Sequence, residues 1–186
     1  MTLLTYLNDK VHLDPEVEEG LDRLFKREEY PKGQELLQPG NLSKKVYFVE
    51  EGLMRSFYLR EGKDVTHLFL AENSFYMPIE NVYFKEQSPY GLQLLEHCTL
   101  RYASYPEVEK YLDRSLELEK FFRYLLIDVL KTLSDRVYTI QFQSARERYQ
   151  TMIDTYPDIL LRAPLGHIAS YLGITQQTLS VIRGQI

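Results

Sequence analysis

Cysteine is almost absent from this sequence, and its scarcity excludes several kinds of site. The single cysteine, Cys98, cannot by itself form an intramolecular disulfide, a cysteine-held iron–sulfur cluster or a zinc knuckle. No uninterrupted apolar run is long enough to span a bilayer, and Met1–Leu4 does not lead into a signal-peptide pattern. These absences predict a soluble, cytoplasmic protein.

Histidine pairs that could hold a catalytic metal are also missing. A small cupin-type enzyme needs two histidines two residues apart in a strand, followed by a carboxylate and another histidine. The four histidines, His12, His67, His97 and His167, each stand alone. A haem-sensing role stays open, although a lone histidine is more often structural or exposed. The sequence therefore predicts no enzyme, no catalytic residue, no metal site and no cofactor.

Positive charge is in deficit over the whole chain but not at its C-terminal end. The sequence has 22 lysines and arginines against 27 aspartates and glutamates, for a net charge of −5. Residues 159–186 contain two arginines, Arg162 and Arg183, and no acidic residue. Phosphate binding depends on the local field, because charges beyond about 8 Å are largely screened at physiological salt. This segment permits DNA binding without requiring it.

Apolar spacing divides the chain into helical and strand-like parts. Apolar residues at three- and four-residue steps predict helices over residues 1–29, with Pro15 at a helix start. Residues 30–105 are punctuated by glycine and proline and contain short runs rich in Val, Tyr, Phe and Leu, which predict the strands of a small sandwich or barrel. The polar stretch Arg60–Asp64 predicts a hairpin turn.

A long amphipathic helix is predicted in the second half of the chain. Ser115 is a suitable N-cap, and apolar residues then recur at steps of three and four. The stripe is wider than a small domain needs, which favours a helix that packs both on its own domain and on a second copy of the chain. Gln141–Ser144 would be the hinge after it, before a further helix over Ala145–Tyr156. The residues expected at the dimer contact are Leu118, Phe122, Leu125, Val129 and Leu133.

Residues 165–183 have the pattern of a helix-turn-helix. Ala169 is small where a second helix would cross, Gly173 can take the positive φ that ends the first helix, and Thr175 is a good N-cap for the second. Polar side chains on the second helix would suit base edges and phosphates. The alternative is a helical hairpin that merely packs on the β-domain. The apolar residues expected between the helices are Ile168, Leu172, Ile174, Leu179 and Ile182. The predicted DNA-binding residues are Thr175, Gln176, Gln177, Ser180 and Arg183.

The order of these parts resembles the Crp/Fnr family of bacterial transcription regulators over nearly the whole chain. The likeness is greatest to short members of the Bacteroidetes type. It is carried by Ile168-Ala169, Leu172–Thr175, Thr178–Ser180 and Ile182-Arg183, and by the strand–Gly–strand run Phe48–Arg55.

The resemblance implies an α+β fold in three parts. These are a double-stranded, jelly-roll-like β-roll sensor domain over residues 1–113, a dimerisation helix over 114–141 and a helix-turn-helix DNA-binding domain over 142–186. It further implies a homodimer on a near-palindromic operator in double-stranded DNA, with RNA polymerase as a further partner.

The cyclic-nucleotide cassette of this family is not matched. In the family's cyclic-nucleotide receptors, a Gly-Glu pair opens a short helix and an Arg-Ser or Arg-Thr pair contacts the cyclic phosphate. Here the second pair falls on Ser88-Pro89, and the opening resembles Ala71–Ser74 without the glycine. A buried phosphate needs a guanidinium or an equivalent cation, and no arginine lies between Arg60 and Arg101. We therefore predict no cAMP binding by the usual mode.

The same region is the candidate pocket for an unknown small effector. Its predicted lining is Glu72, Tyr76, Tyr83, Ser88 and Tyr90, and the tyrosines could stack on a planar molecule. The alternative is a pocket filled by its own aromatic side chains, in a β-domain that is a constitutive or protein-contacted scaffold.

Two features bear on DNA binding. Val181 stands on a face where many relatives have arginine, and the sequence ends directly after the second helix, which predicts no β-wing. Two functions therefore stay open: a DNA-binding regulator, and a regulator-like ligand- or protein-binding module with weak or lost DNA binding.

Overall fold

Eight strands form two four-stranded antiparallel sheets in residues 1–185, the part of the chain that the computed structural model describes. One sheet has the strand order β1-β8-β3-β6 and the other β2-β7-β4-β5. Buried aliphatic and aromatic side chains fill the space between them, so the predicted β-roll and the α+β class are confirmed. The strands are β1 Lys26–Tyr30, β2 Glu35–Leu37, β3 Lys45–Glu51, β4 Met54–Arg60, β5 Lys63–Leu70, β6 Phe75–Tyr76, β7 Gly91–Leu94 and β8 Cys98–Ser104.

Helices precede and follow the β-roll, and a short π-helix, Glu80–Phe84, lies within it. The α-helices are α1 Leu3–Lys10, α2 Pro15–Leu24, α3 Tyr105–Leu112, α4 Leu116–Phe142, α5 Ala145–Thr155, α6 Ile159–Arg162, α7 Leu165–Leu172 and α8 Gln176–Arg183.

The N-terminal helical region ends earlier than predicted. Helix α2 ends at Leu24, and residues 26–29, expected to be helical, belong to β1. Four of the five β1 residues are exposed, so their sequence has little of the alternation that would have identified a strand. Pairing of β1 with β8 at the sheet edge outweighs the local helical spacing.

The predicted hairpin turn connects β4 and β5. Arg60 pairs with Lys63, which leaves Glu61 and Gly62 as a two-residue loop. Both loop residues have positive φ, 52° and 73°, as a tight hairpin turn that follows the twist of its strands requires.

Helix α4 runs for 27 residues, which makes it about 40 Å long. The hydroxyl of Ser115 accepts a hydrogen bond from the backbone N–H of Leu118, so the predicted N-cap is confirmed. Gln141 and Phe142, predicted to lie in the hinge, still belong to the helix. The chain turns at Gln143 and Ser144, where Ser144 and Glu147 form a capping box at the start of α5.

Helices α5 to α8 form a second cluster that shares its core with the β-roll. Ile159, Ile168 and Leu179 are almost fully buried there. Leu53 and Phe69 of the β-roll belong to the same apolar cluster. The C-terminal unit therefore packs directly on the β-roll.

Candidate nucleic-acid interface and effector cavity

Helices α7 and α8 form the predicted helix-turn-helix. Gly173 has φ of 68° and ends α7, and the hydroxyl of Thr175 accepts a 3.1 Å hydrogen bond from the N–H of Thr178 at the start of α8. Four of the five apolar residues expected between the helices are buried, and the fifth, Ile174, is half-buried against the same cluster. The turn residues and the cap act as their chemistry predicts.

The opposite face of α8 is exposed. The side chains of this exposed face are those of Thr175, Gln176, Gln177, Ser180, Val181 and Arg183. The Ser180 hydroxyl donates to the Gln176 carbonyl oxygen at 3.0 Å, which reduces its freedom to contact a base. A Cβ atom on Gly166 would lie 2.6 Å from Gln176 Nε2, so this glycine lets the glutamine side chain lie against α7.

Two arginines from other helices bind the C-terminal end of α7. Arg136 on α4 donates to the carbonyl oxygen of Tyr171 at 2.8 Å, and Arg148 on α5 donates to that of Leu172 at 3.0 Å. Carbonyls at a helix C-terminus lack intrahelical partners and carry partial negative charge, so cations stabilise this end. The position of α7, and with it that of α8, is therefore tied to α4 and α5.

Polar contacts also join the C-terminal unit to the β-roll. Arg162 on α6 donates to both oxygens of Glu72 at 3.0 and 2.6 Å, and its guanidinium also binds Glu96 at 2.6 Å. The backbone N–H of Thr66 on β5 donates to the Ser170 hydroxyl of α7 at 3.1 Å. Burial alone would raise the pKa of Glu72, but hydrogen bonds, first from Arg162, hold it below its usual value.

This ion pair changes the charge argument for DNA binding. Arg162 supplied half of the positive charge counted in the C-terminal segment, and its guanidinium is neutralised by two carboxylates of the β-roll. Arg183 is exposed and makes no salt bridge with any residue from 1 to 185. In the described part of the segment, it is the cation left for a phosphate or a guanine.

Helix α4 carries an apolar stripe that is largely exposed in the single chain. At 3.6 residues per turn its members fall on one side of the helix. Leu130 and Val137 are 67% and 53% exposed. We call this set the pairing stripe: Leu126, Val129, Leu130, Leu133, Val137 and Ile140.

The pairing stripe only partly coincides with the residues predicted at a dimer contact. Val129 and Leu133 belong to both sets. Leu118 is only 5% exposed and belongs to the core of its own domain, and Phe122 and Leu125 pack against that core. These three lie on the early turns of α4, which cover the β-roll, so the free surface begins further along the helix.

A cavity of about 450 Å³ lies between the β-roll and α4. Its wall is mostly aliphatic and aromatic, and helix α4 contributes Leu118, Phe121, Phe122, Leu125, Leu126, Val129 and Leu133. Among the residues predicted for an effector pocket, Tyr76 and Tyr90 line it.

The other three predicted pocket residues lie elsewhere. Glu72 binds Arg162, and the Tyr83 hydroxyl hydrogen-bonds that of Tyr105. Ser88 is fully buried and donates to Glu80, a cavity residue, at 3.3 Å. These three were chosen from their sequence position near the family's cassette, which does not fix which way a side chain points.

The polar groups of the cavity are gathered at one end. His67 stacks on Tyr90 with ring centroids 4.5 Å apart, and its Nδ1 lies 3.4 Å from the Ser56 hydroxyl. Burial, then the charge of Arg136, lowers the pKa of His67, which favours the neutral imidazole. Burial, then the charge of Glu80, raises the pKa of Tyr76 and of Tyr90. This end offers neutral rings, hydroxyls and one carboxyl group.

No lysine or arginine lines the cavity within the described residues. Arg55 on β4 is 1% exposed, and its guanidinium is bound by Asp64, Thr66 and Gln93. It does not reach the cavity wall and has its partners already. The cavity therefore lacks the cation that a buried phosphate requires.

Comparison with known proteins identifies the β-roll and the overall architecture. Residues 27–115 match the model of the cyclic nucleotide-binding domain family. The structure of FixK2 from Bradyrhizobium japonicum is 18% identical, with a TM-score of 0.75 over 87% of this chain and 83% of that one. A CooA mutant from Carboxydothermus hydrogenoformans is 21% identical, with a TM-score of 0.74 over 100% and 84%. The chain has the Crp/Fnr fold.

Further comparisons agree with this fold. The catabolite activator protein of Thermus thermophilus is 18% identical to this chain, with a TM-score of 0.58 over 93% of this chain and 83% of that one. The search of curated proteins gave no match. The predicted resemblance to the Crp/Fnr family is confirmed at the level of the fold, and the matched family model is that of a cyclic nucleotide-binding domain. Over residues 1–185, no helix is both long and apolar enough to cross a membrane.

Sequence reasoning missed the residues that connect the parts of this Crp/Fnr fold. Arg136, Arg148 and Arg162 each bridge two elements, yet a lone arginine in a helix gives no pattern to detect. His67 was judged structural or exposed, and it lies at the polar end of the cavity. One of these contacts did have a signal in the sequence. Gly166 lies in the first turn of a predicted helix, and a glycine there suggests that another group, here the Gln176 side chain, comes close to the helix backbone.

Proposed function

We propose that this chain is a transcription regulator that binds double-stranded DNA as a homodimer, with one helix α8 in the major groove of each half of a near-palindromic site. The observation that carries this proposal is the exposed polar face of α8 opposite its buried apolar face. A hairpin that served only for packing would bury that face. RNA polymerase is a further partner under this proposal.

Base readout is assigned mainly to the two glutamines. Gln177 is exposed on the first turn of α8, and a glutamine can bind the N6 and N7 atoms of adenine through two hydrogen bonds. Gln176 must leave its position against Gly166 to do the same. Arg183 suits a guanine or a phosphate, and the N–H groups at the start of α8 suit a phosphate.

Pairing of two copies is assigned to the pairing stripe of α4. Exposed aliphatic side chains in a row along a helix are stabilised when a second helix covers them. Two copies related by a two-fold axis would place their α8 helices at a fixed separation, which is what a near-palindromic site requires.

Control by a small molecule is assigned to the cavity between the β-roll and α4. The same helix lines the cavity and, through Arg136, binds the end of α7. An occupant that shifts α4 would thereby change the tilt of α8. The effector is not cAMP bound in the usual mode, because no cation faces the cavity in the described chain.

The test is a binding selection from random oligonucleotides with the purified full chain. We expect enrichment of one sequence with two half-sites separated by about one helical turn of DNA, 10–10.5 base pairs centre to centre. Recovery of DNA without any sequence preference would contradict the proposal.

A second candidate function is a regulator-like ligand-binding module with weak DNA binding. The observation in its favour is the neutralisation of Arg162, which reduces the cationic surface beside α8. An electrophoretic shift assay on the DNA upstream of the protein's own coding sequence separates the two. A shift that survives excess unrelated DNA favours the regulator, and its absence together with a failed selection favours the module.

A further inference from the structure

The cavity combines a mostly apolar wall with a small group of polar side chains, among them Ser56, His67 and Tyr90, which lie close together. Leu68, Leu70 and Phe75 of the β-roll line it together with Leu125 and Leu133 of α4. The volume of about 450 Å³ lies in the range of 300–1,000 Å³ that small-molecule sites occupy. An apolar wall of this extent gains free energy from burying an aliphatic or aromatic body and gives nothing to a charged one.

The polar end selects the head group of an occupant. The hydroxyls of Tyr76 and Tyr90 make no hydrogen bond with any residue from 1 to 185, and neither does Nε2 of His67. These groups can donate to an oxygen, while the carboxylate of Glu80 can accept from a hydroxyl and repels an anion. Taken together, these groups suit a hydroxyl and disfavour a carboxylate or phosphate.

We infer that this cavity binds a neutral, largely apolar small molecule with a single hydroxyl-type head, such as a medium-chain alcohol or an alkylphenol. The inference rests on the proposed effector control and names the class of that effector. It separates this chain from cyclic-nucleotide receptors by the absence of a lysine or arginine from the cavity wall in residues 1–185.

The test uses N-phenyl-1-naphthylamine, a neutral fluorophore, with the purified full chain. We expect a saturable rise in its fluorescence and displacement by 1-decanol. Decanoate, which has the same chain length and a negative head, should displace the probe at least about tenfold less well, a difference of about 1.4 kcal/mol. Cyclic AMP should not displace it. Displacement by cAMP at the concentrations that suffice for 1-decanol would overturn the inference.

Two variants that fill the cavity locate the probe. Leu68→Trp and Met77→Trp place an indole in the apolar part and should weaken probe binding at least about tenfold, by the same conversion. Leu59→Trp is the matched control, because Leu59 is 61% exposed near the β4–β5 turn. Circular dichroism checks that each variant folds. Unchanged probe binding in folded Leu68→Trp and Met77→Trp would place the probe elsewhere and overturn the inference.

Glu80→Gln tests whether Glu80 causes the preference for a hydroxyl head group over a carboxylate, without filling the cavity. Glutamine keeps an acceptor for Ser88 and removes the negative charge. We expect decanoate to approach 1-decanol in potency in this variant, which a merely structural role of Glu80 would not produce. An unchanged preference for 1-decanol would overturn the part assigned to Glu80.

Failure of this inference is distinguishable from failure of the proposed function. If the chain selects a DNA sequence but 1-decanol does not displace the probe, only the proposed ligand class is contradicted. If the chain binds 1-decanol but selects no DNA sequence, the proposed function as a regulator is contradicted, and the inference about the cavity ligand still holds.

Discussion

The guanidinium of Arg136 lies 3.9 Å from the centroid of the Tyr171 ring and also binds the backbone carbonyl oxygen of the same residue. One side chain on α4 thus holds both the ring and the main chain at the end of α7. Its charge also lowers the pKa of His67 at the polar end of the cavity. Arg136 therefore lies between the candidate effector cavity and the candidate DNA-binding unit.

Arg136→Ala should destabilise the C-terminal unit by about 1–3 kcal/mol, because it removes a charged hydrogen bond to a helix end and a cation–π contact. Urea unfolding of the full chain measures the change. Arg123→Ala is the matched control, since Arg123 lies on the same helix and binds only the nearby Glu119. Equal midpoints for the two variants would show that the Arg136 contact contributes little.

Gln176→Ala and Gln177→Ala should each reduce the preference for the selected DNA site over a mutated site by about 1–3 kcal/mol while the chain stays dimeric. Fluorescence anisotropy with both DNA sequences measures this difference. Gln87→Ala, an exposed glutamine of the β-roll, is the control. Equal loss on every DNA sequence would argue against base readout by these two residues.

Leu130→Glu and Val137→Glu should convert the dimer to a monomer, because each buries a carboxylate between two apolar stripes. Both residues are exposed in a single copy, so the variants should still fold. Sedimentation equilibrium gives the mass. Tyr124→Glu, on the opposite side of α4 and 59% exposed, should remain dimeric. A monomeric wild-type chain would contradict the pairing itself.

The ion pair between Glu72 and Arg162 should make the docking of the C-terminal unit sensitive to acid. The pKa of Glu72 is lowered in the folded chain, so its stabilising contribution is present above the unfolded value of about 4.3. That contribution is lost as the pH falls through the lower, folded value. Glu72→Gln should therefore lower the melting temperature clearly at pH 7 and little at about pH 3.

Glu61→Gln serves as the control for this pH series, since Glu61 lies in the exposed β4–β5 turn. Its melting temperature should follow that of the wild type at both pH values. A Glu72→Gln variant whose deficit is the same at pH 7 and pH 3 would show that the charge of Glu72 is not what stabilises the contact.

Local features such as helix ends and caps could be predicted from the sequence, but contacts between residues far apart in the chain could not. Gly173 and Thr175 were predictable because the end of a helix and its cap are determined by a few neighbouring residues. Leu118 and Val129 belong to the same apolar periodicity and lie on the same face of α4, yet Leu118 is 5% exposed and Val129 is 40% exposed. The period alone cannot predict this difference, because it depends on how far along the helix the β-roll extends. Arg162 and Glu72 are 90 positions apart, and only the folded chain brings them together.

Val129 and Leu133 each belong to the pairing stripe and to the cavity wall. If two copies associate through this part of α4, ligand binding and dimerisation are thermodynamically coupled. Any factor by which the bound ligand changes the dimer association constant is also the factor by which dimerisation changes the ligand affinity. Ligand saturation curves recorded at nanomolar and at micromolar concentrations of the protein would then not superimpose. A cell that makes more of this chain would change the amount of ligand needed to half-occupy it.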